Sequence, residues 1–334
     1  MTQPRLLAGL PRRLVVAGVL AALVVAVYGG YRLLPRLSSL LAPGCTTTPI
    51  GASAGPGASL GSARVVSPDS SAGIRPAPAA SGAPGSTAPG PASFFAPMTT
   101  LPPGPPAGAA ALRVPVLIYH EVVPNADPAA SDYEMTPALM ESQLCLLAAR
   151  GWQTITARQL AEHLASGTPP PQRTVVITLD DATSDHLANA YAILRRYGFS
   201  ATFFVIAGFV GTDGYLTWDQ VRMLRDGGME IGSHSTHHPR MSEISAAEAA
   251  SEVRTAQQVI GQQLGAQPVT FAYPGGAYND TAVAAVRDAG LLAAFTTAEG
   301  RSATWADRLT IPRINVGAVW SADKLLSILE GYVK

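Results

Sequence analysis

The chain has 334 residues, and its 23 basic and 23 acidic side chains balance to a formal net charge of zero at pH 7. Only 14% of the residues are charged and no basic patch stands out, so nothing in the sequence indicates a nucleic-acid partner. The length would allow two domains, but the composition changes sharply along the chain and leaves one stretch suited to a globular core.

An apolar run comes first. Residues 14–31 are uncharged and mostly apolar, and as a helix they would span about 27 Å, close to the hydrocarbon thickness of a bilayer. Arg5, Arg12 and Arg13 precede the run, which favours a cytoplasmic N-terminus. We therefore predict that residues 1–36 form a cytoplasmic tip and a single-pass membrane anchor, with the rest of the chain outside the cytoplasm. A cleaved signal sequence, which would leave a secreted protein, and a buried helix are the alternatives.

A segment of different composition follows. Residues 37–112 are mostly Ala, Gly, Pro, Ser and Thr, and their only charges are Arg64, Asp69 and Arg75. Such a segment cannot bury enough apolar surface to offset the entropy lost on ordering. We predict a disordered, partly extended linker.

Residues 113–334 alternate between apolar strand candidates and helical patterns, as in a single catalytic domain. The strand candidates are 114–119, 174–179, 201–206, 229–232, 269–273, 292–296 and 311–316. The helix candidates between and after them include 217–227, 245–265, 279–290 and 321–333. Near-continuous apolar strands alternating with helices predict an α/β fold with a parallel sheet covered on both faces. Seven strands favour a distorted, incomplete (β/α) barrel over a doubly wound sheet.

The globular part contains one cysteine. Cys145 lies in the apolar helical pattern "LMESQLCLLAARG". A metal ligand or an internal disulfide would need a second cysteine nearby, so we predict a small buried side chain at this position.

Polar residues follow four of the predicted strands, at the strand ends where α/β folds place their catalytic and ligand-binding residues. They are Asp180 and Asp181 after 174–179, His234 and then His238 after 229–232, His120 and Glu121 after 114–119, and a Pro-Gly-Gly turn after 269–273. Each has a simpler interpretation taken singly, as a helix cap, a solvated loop, a core histidine or a plain turn. Four such coincidences at strand ends are much less probable together.

One carboxylate and two imidazoles can hold zinc or a similar divalent ion and leave positions open for water and substrate. A second carboxylate can then act as general base, and a further histidine can act as general acid for a leaving amine. The residue types therefore indicate metal-assisted hydrolysis of an amide or an ester.

Two motifs resemble those of the polysaccharide deacetylases, the NodB-homology domains of carbohydrate esterase family 4. "TLDDAT" resembles T-F-D-D-G, and "HSTHH" resembles H-[ST]-x-x-H. The resemblance extends over nearly all of 113–334 and implies a distorted barrel of about seven strands. It implies Asp180 as the base and a divalent metal, zinc or else cobalt or nickel, on Asp181, His234 and His238. Ser235 would support the loop, and His237 would take no part.

A branch of that family is indicated as well. "PVLIYHEV" is similar to the first strand of the poly-N-acetylglucosamine deacetylases, which implies His120 as the general acid. "FAYPGG" is similar to their "FAYPYG" and implies oxyanion and substrate contacts at Tyr273, Pro274 and Gly275. "IPRINV" is similar to their late Pro-Arg strand, and Arg313 is a candidate to orient the base.

The chain departs from the family pattern at three positions. Gly275 replaces a tyrosine, Ala272 replaces an arginine that orients the base, and Ala182 replaces the glycine of D-D-G. None of these changes removes a metal ligand. The resemblance therefore implies an active enzyme with an altered or shallow substrate groove.

We expect a membrane-tethered, metal-dependent hydrolase that removes N-acetyl groups from N-acetylglucosamine-type units of an extracellular or cell-wall polysaccharide. The alternatives are an esterase acting on O-acetyl groups and a catalytically impaired, membrane-tethered glycan-binding protein. Candidate aromatic platforms for the sugar are Tyr119, Tyr215, Trp218, Tyr273 and Trp320.

Overall fold

A computed structural model describes residues 101–129 and 131–333. The predicted membrane anchor or signal at 1–36, and the predicted linker as far as residue 100, lie outside these ranges. Within them, no helix combines the length and apolar character needed to cross a bilayer. Leu112 is buried and bridges to Ala303, and Gly104 lies against Trp305, so packing onto the globular part begins before the predicted start at 113.

The described residues contain ten strands and seven α-helices. The strands are β1 (Val116–Tyr119), β2 (Glu121–Val122), β3 (Glu134–Met135), β4 (Gln153–Ile155), β5 (Thr174–Leu179), β6 (Thr202–Val205), β7 (Glu230–Ser233), β8 (Thr270–Ala272), β9 (Ala293–Phe295) and β10 (Ile314–Asn315). The helices are α1 (Pro137–Ala149), α2 (Ala157–Ser166), α3 (Ala192–Arg196), α4 (Trp218–Asp226), α5 (Ala246–Leu264), α6 (Asp280–Asp288) and α7 (Ala322–Val333). A π-helical turn (His186–Tyr191) leads into α3, and a 3₁₀ turn (Pro274–Gly276) follows β8.

The main sheet is parallel, with the order β10-β1-β5-β6-β7-β8-β9, and it curls into a half-barrel flanked by helices. All seven predicted strands are present in it, and the predicted incomplete (β/α) barrel is confirmed. The sequence missed β4, which pairs beside the first half of β5. Its three residues, Gln-Thr-Ile, are too few and too exposed to give an apolar strand pattern.

The central strand β5 is buried on both faces, as expected for a parallel sheet covered by helices. Successive side chains of a strand point to opposite faces. Val175, Ile177 and Leu179 accordingly join the larger core cluster, which includes side chains of α1, α4 and α5. Val176 joins a second cluster with residues of α2. The end of β5 is therefore held rigidly from both sides.

Helix termini follow the sequence signals closely. The predicted capping box of α5 is present, with Ser245 accepting from the backbone of Glu248 and the glutamate side chain accepting in return. Gly265 ends the helix at a φ of 78°, a left-handed conformation that glycine adopts readily.

Cys145 is buried within α1 as predicted, but it is disulfide-bonded and not a free thiol. The predicted burial of the side chain is confirmed, but the argument against a disulfide was wrong, because a disulfide requires only that two Cα atoms lie about 4.4–6.8 Å apart in space and not that the cysteines are near in sequence.

Candidate active site

The curled sheet brings the polar strand ends together at its carboxyl edge. Tyr119 pairs with Leu179, so the next residues, His120 and Asp180, lie side by side. The backbone N–H of Asp180 donates to the carbonyl of Tyr119 over 3.1 Å. On the other side β6 separates β5 from β7, whose end carries His234.

Asp180 is held by Arg313. The guanidinium donates to both carboxylate oxygens over 2.7 Å each, and neither residue has appreciable solvent exposure. Arg313 also donates through Nε to the carbonyl of Thr296 and through a terminal nitrogen to the hydroxyl of Thr178. These four bonds fix the guanidinium plane, and the guanidinium in turn fixes the carboxylate.

Opposing effects act on the protonation of Asp180. Burial raises the pKa of the carboxyl, but the charge of Arg313, joined by that of His234 and the hydrogen bonds from Arg313, outweighs burial. The pKa of Asp180 is therefore well below its usual range, and the carboxyl is ionised at neutral pH.

Asp181 turns into the same site because the backbone bends sharply at the end of β5. Asp181 and Ala182 have φ values of 74° and 59°, a left-handed conformation that is strained for residues with a Cβ. Ser235 and His238 also have positive φ values, so four of the five such non-glycine residues in the described ranges lie around this site. Backbone strain of this kind collects at functional sites.

The carboxylate of Asp181 is poorly satisfied. Its Oδ1 is buried, and no residue that the structure describes offers it a hydrogen bond. Burial, with the negative charges of Asp180 and Glu121, raises the pKa of Asp181 to about 7. A buried carboxylate oxygen without a donor is what a site for a cation would present.

His234 and His238 face this oxygen. Their Nε2 atoms each lie 3.5 Å from Asp181 Oδ1. His234 donates its Nδ1–H to the carbonyl of Ala272 over 2.7 Å, which leaves the Nε2 lone pair pointing into the site. Burial lowers the pKa of His234 to about 4, so the ring is neutral at pH 7 and able to coordinate.

Asp181, His234 and His238 fit a divalent ion. Their ligand atoms all lie within 4.8 Å of one another. Ligands about 2.1 Å from a zinc ion at tetrahedral angles would lie about 3.4 Å apart, close to the two 3.5 Å separations. Two neutral imidazoles and one carboxylate also leave coordination positions open for water and substrate.

His237 points away from these ligands. Its ring is largely exposed and donates from Nδ1 to Glu252 over 2.7 Å. The other oxygen of Glu252 accepts from the backbone N–H groups of Thr236 and His237. The predicted supporting residue Ser235 is buried, and its hydroxyl accepts from the backbone N–H of His238 over 2.9 Å.

His120 lies at the mouth of the site and is partly buried. Burial lowers its pKa to about 4, against the opposing charge of Asp180, so the free imidazole is neutral at pH 7. The His120 carbonyl accepts from His186 Nε2 over 2.8 Å. The charges of Asp180 and His238 act on the pKa of this imidazole in opposite directions, the first raising it and the second lowering it.

The predicted substrate turn begins directly after β8. Gly275 has a φ of 58°, and Pro274 is buried. The side chain of Tyr273 is fully buried and donates its hydroxyl to the carbonyl of Leu309, so only its backbone is available to a ligand. The tyrosine ring belongs to the core, where it packs in a T-shaped contact with Phe271. Tyr119, another predicted sugar platform, is also buried.

The sequence missed several residues that shape the site. Glu252 holds the histidine loop, but nothing distinguishes it from other surface glutamates of a helix. Asp185, His186 and Asn189 bind the segment after β1. Tyr133 contacts the ring of His120. The sequence feature that could have indicated this contact is a tyrosine 13 residues after the predicted general acid.

Residues 167–294 match the family described as polysaccharide deacetylase, a segment that leaves out His120 and Arg313. A putative polysaccharide deacetylase of Bacillus subtilis is 24% identical over 218 residues, which cover 65% of this chain and 76% of that protein. A poly-β-1,6-N-acetyl-D-glucosamine N-deacetylase of Staphylococcus aureus is 25% identical over 197 residues, 55% of this chain and 68% of that protein. The solved structure of a Streptococcus pyogenes deacetylase in complex with acetate matches with a TM-score of 0.63 and 26% identity, over 66% of this chain and 99% of that chain.

Proposed function

This chain carries a polysaccharide deacetylase domain of the NodB type, and from that premise we propose that it removes N-acetyl groups from N-acetylglucosamine units of a polysaccharide in a metal-dependent reaction. The family resemblance inferred from the two sequence motifs is thereby confirmed. The poly-N-acetylglucosamine substrate is proposed because the similar Staphylococcus aureus protein is a poly-β-1,6-N-acetyl-D-glucosamine N-deacetylase.

One observation carries the proposal. An ionised carboxylate locked by arginine and a separate Asp-His-His set lie at the same strand ends, beside a neutral histidine. Amide hydrolysis needs a base, an electrophile and an acid in one place, and these groups can fill the three roles. A protein that only bound glycans would have no need for this combination.

Asp181, His234 and His238 would hold the ion, proposed to be zinc with cobalt or nickel as alternatives. A bound divalent ion lowers the pKa of water toward neutrality and polarises the acetyl carbonyl. The orphaned oxygen of Asp181 would then gain a partner, and His234 is kept in the correct tautomer by Ala272.

Proton transfers fall to two other side chains. Asp180 is ionised and accepts the proton of the attacking water, while Arg313 keeps the carboxylate in place. As the carbon–oxygen bond forms and the carbon–nitrogen bond breaks, the leaving nitrogen takes a proton from His120. Because the imidazole is neutral in the free site, it takes up a proton from solvent before it donates, and Asp180 returns the proton of the water to solvent after the reaction.

The turn after β8 is proposed to stabilise the developing oxyanion through the backbone N–H of Gly275. Among the described residues, a Cβ added at Gly275 would have one neighbour within 4 Å, the Arg240 guanidinium at 3.9 Å. The absence of a side chain here supports the proposal of a wide, shallow groove in place of a closed sugar pocket.

We further propose that the enzyme works outside the cytoplasm, tethered by the apolar segment at 14–31 or released after its cleavage. The basic residues before this segment support the tethered orientation. The disulfide at Cys145 supports an oxidising compartment, where such bonds persist.

The test uses the full-length chain loaded with zinc, cobalt or nickel. β-1,6- and β-1,4-linked N-acetylglucosamine oligomers, and O-acetylated oligosaccharides, are incubated separately, and released acetate and product masses are measured. Acetate from the amide substrates is the expected result. Acetate from esters alone would replace the proposal with an esterase, and bound metal without any turnover would favour a glycan-binding protein. Asp181→Asn, nearly identical in size, should lose metal and activity together.

A further inference from the structure

Tyr133 presents an aromatic ring to solvent at the mouth of the site. The residue is 58% exposed, although tyrosine is usually partly buried. The edge of one ring meets the face of the other between Tyr133 and His120, with ring centroids 4.6 Å apart and planes at 68°. The phenol ring therefore lies directly beside the imidazole proposed to protonate the leaving nitrogen.

The backbone of Tyr133 is anchored on both sides. Its carbonyl accepts from the N–H of Glu121 over 3.1 Å, and its own N–H donates to the hydroxyl of Ser131 over 3.1 Å. The next residue, Glu134, starts β3 and pairs with Glu121 of β2. The ring is thus exposed on a fixed backbone and not at the tip of an unattached loop.

The segment that carries His120 is fixed as well. His186 Nε2 donates to the His120 carbonyl, Asp185 accepts from the N–H of Val122, and Asn189 donates to the Val122 carbonyl. All three side chains come from the π-helical turn and from Asp185, the residue directly before it. These hydrogen bonds hold the backbone of His120 and of Tyr133 in fixed positions relative to each other and to Asp180.

We propose that Tyr133 is a substrate-binding residue, whose ring stacks against the apolar face of a pyranose unit and places its acetamido nitrogen at His120. The inference rests on the proposed function and adds a residue that contacts the sugar. An aromatic ring offers a large rigid apolar surface at little entropic cost, and the phenol hydroxyl can bond a sugar hydroxyl at the rim. An aromatic platform suits an uncharged sugar ring, because the aromatic face contacts the C–H surface of the sugar and does not require a charge.

The experiment compares two substrates on the metal-loaded, full-length enzyme. One is a β-1,6-linked N-acetylglucosamine oligomer, which has a sugar to stack, and the other is p-nitrophenyl acetate, which has none. Tyr133→Leu keeps apolar bulk beside His120 without an aromatic face, and Tyr133→Trp keeps an aromatic face. Met223→Ala, which removes a similarly exposed side chain (55%) from α4, is the matched control.

Tyr133→Leu should raise KM for the oligomer roughly three- to tenfold, as expected for loss of one aromatic contact. Its kcat and pH profile on p-nitrophenyl acetate should stay unchanged, and Tyr133→Trp should keep oligomer KM near the wild-type value. Equal losses on both substrates would overturn the proposal, because Tyr133 would then act through His120. Unchanged KM in every variant would overturn it too.

Failure of the proposed function gives a different result. If the wild type hydrolyses neither substrate, calorimetric titration of the metal-loaded protein with the oligomer still decides the role of Tyr133. Weaker binding by Tyr133→Leu than by Met223→Ala supports the platform, and equal binding refutes it.

Discussion

Removing Arg313 should leave the buried Asp180 carboxylate without its counter-charge. At an effective dielectric constant near 20, two unit charges about 4 Å apart attract by about 4 kcal/mol. Loss of one partner from a buried ion pair is correspondingly expected to cost about 3–5 kcal/mol. In a domain of this size each kcal/mol lowers Tm by roughly 2–4 °C, so Arg313→Met should melt roughly 6–20 °C below the wild type at pH 7.

The pH dependence of this loss has a definite sign. The pKa of Asp180 in the folded protein is depressed, so the pair's stabilisation is fully present above the unfolded pKa of about 3.9 and lost as pH falls below it. The difference in Tm between wild type and Arg313→Met should therefore be largest at neutral pH and shrink on acidification.

Differential scanning calorimetry of metal-free protein across a pH series measures this effect. The double variant Asp180→Asn with Arg313→Met removes both charges and should melt well above Arg313→Met alone. Arg313→Lys keeps the charge but loses the two-pronged geometry, and should lie between Arg313→Met and wild type. An Arg313→Met protein melting within about 2 °C of wild type at pH 7 would refute the reasoning.

Three further outcomes follow from the geometry. Burial raises the pKa of Asp181 to about 7, and a metal ion binds only the ionised carboxylate. Zinc affinity, measured by competition with a chromophoric chelator, should therefore fall about tenfold per pH unit below pH 7 and level off above it. A zinc affinity that does not change with pH would contradict this. His237→Ala should keep turnover within about twofold, since its exposed ring binds only Glu252, whereas His238→Ala should lose metal. Ala182→Gly should raise the free energy of unfolding, measured in urea, by up to about 1 kcal/mol, because glycine adopts a φ of 59° without strain. A lower free energy of unfolding would show that the packing of the buried methyl group contributes more than the strain costs.

The geometry of Arg313 could be anticipated only in part. Its place in "IPRINV" made it a candidate to orient the base, but 133 residues separate it from Asp180. The ion pair exists because β10 lies next to β1 and β1 next to β5, an order that no local pattern contains. The four donor bonds of the guanidinium were equally invisible, since Thr178 and Thr296 come from two other parts of the chain.

The sequence by itself determined the seven main strands, the helix caps and the identity of the candidate ligands. These are local properties: an apolar run of strand length, a capping pair three residues apart, or a histidine four residues after another carries its meaning within a short window. Only the tertiary structure decided which way the side chains point. It turned Asp181 inward through a left-handed backbone, sent His237 to Glu252, buried the ring of Tyr273 and set Tyr133 against His120. Those orientations depend on strand order and on packing partners far along the chain, and such contacts exist only after the sheet has curled.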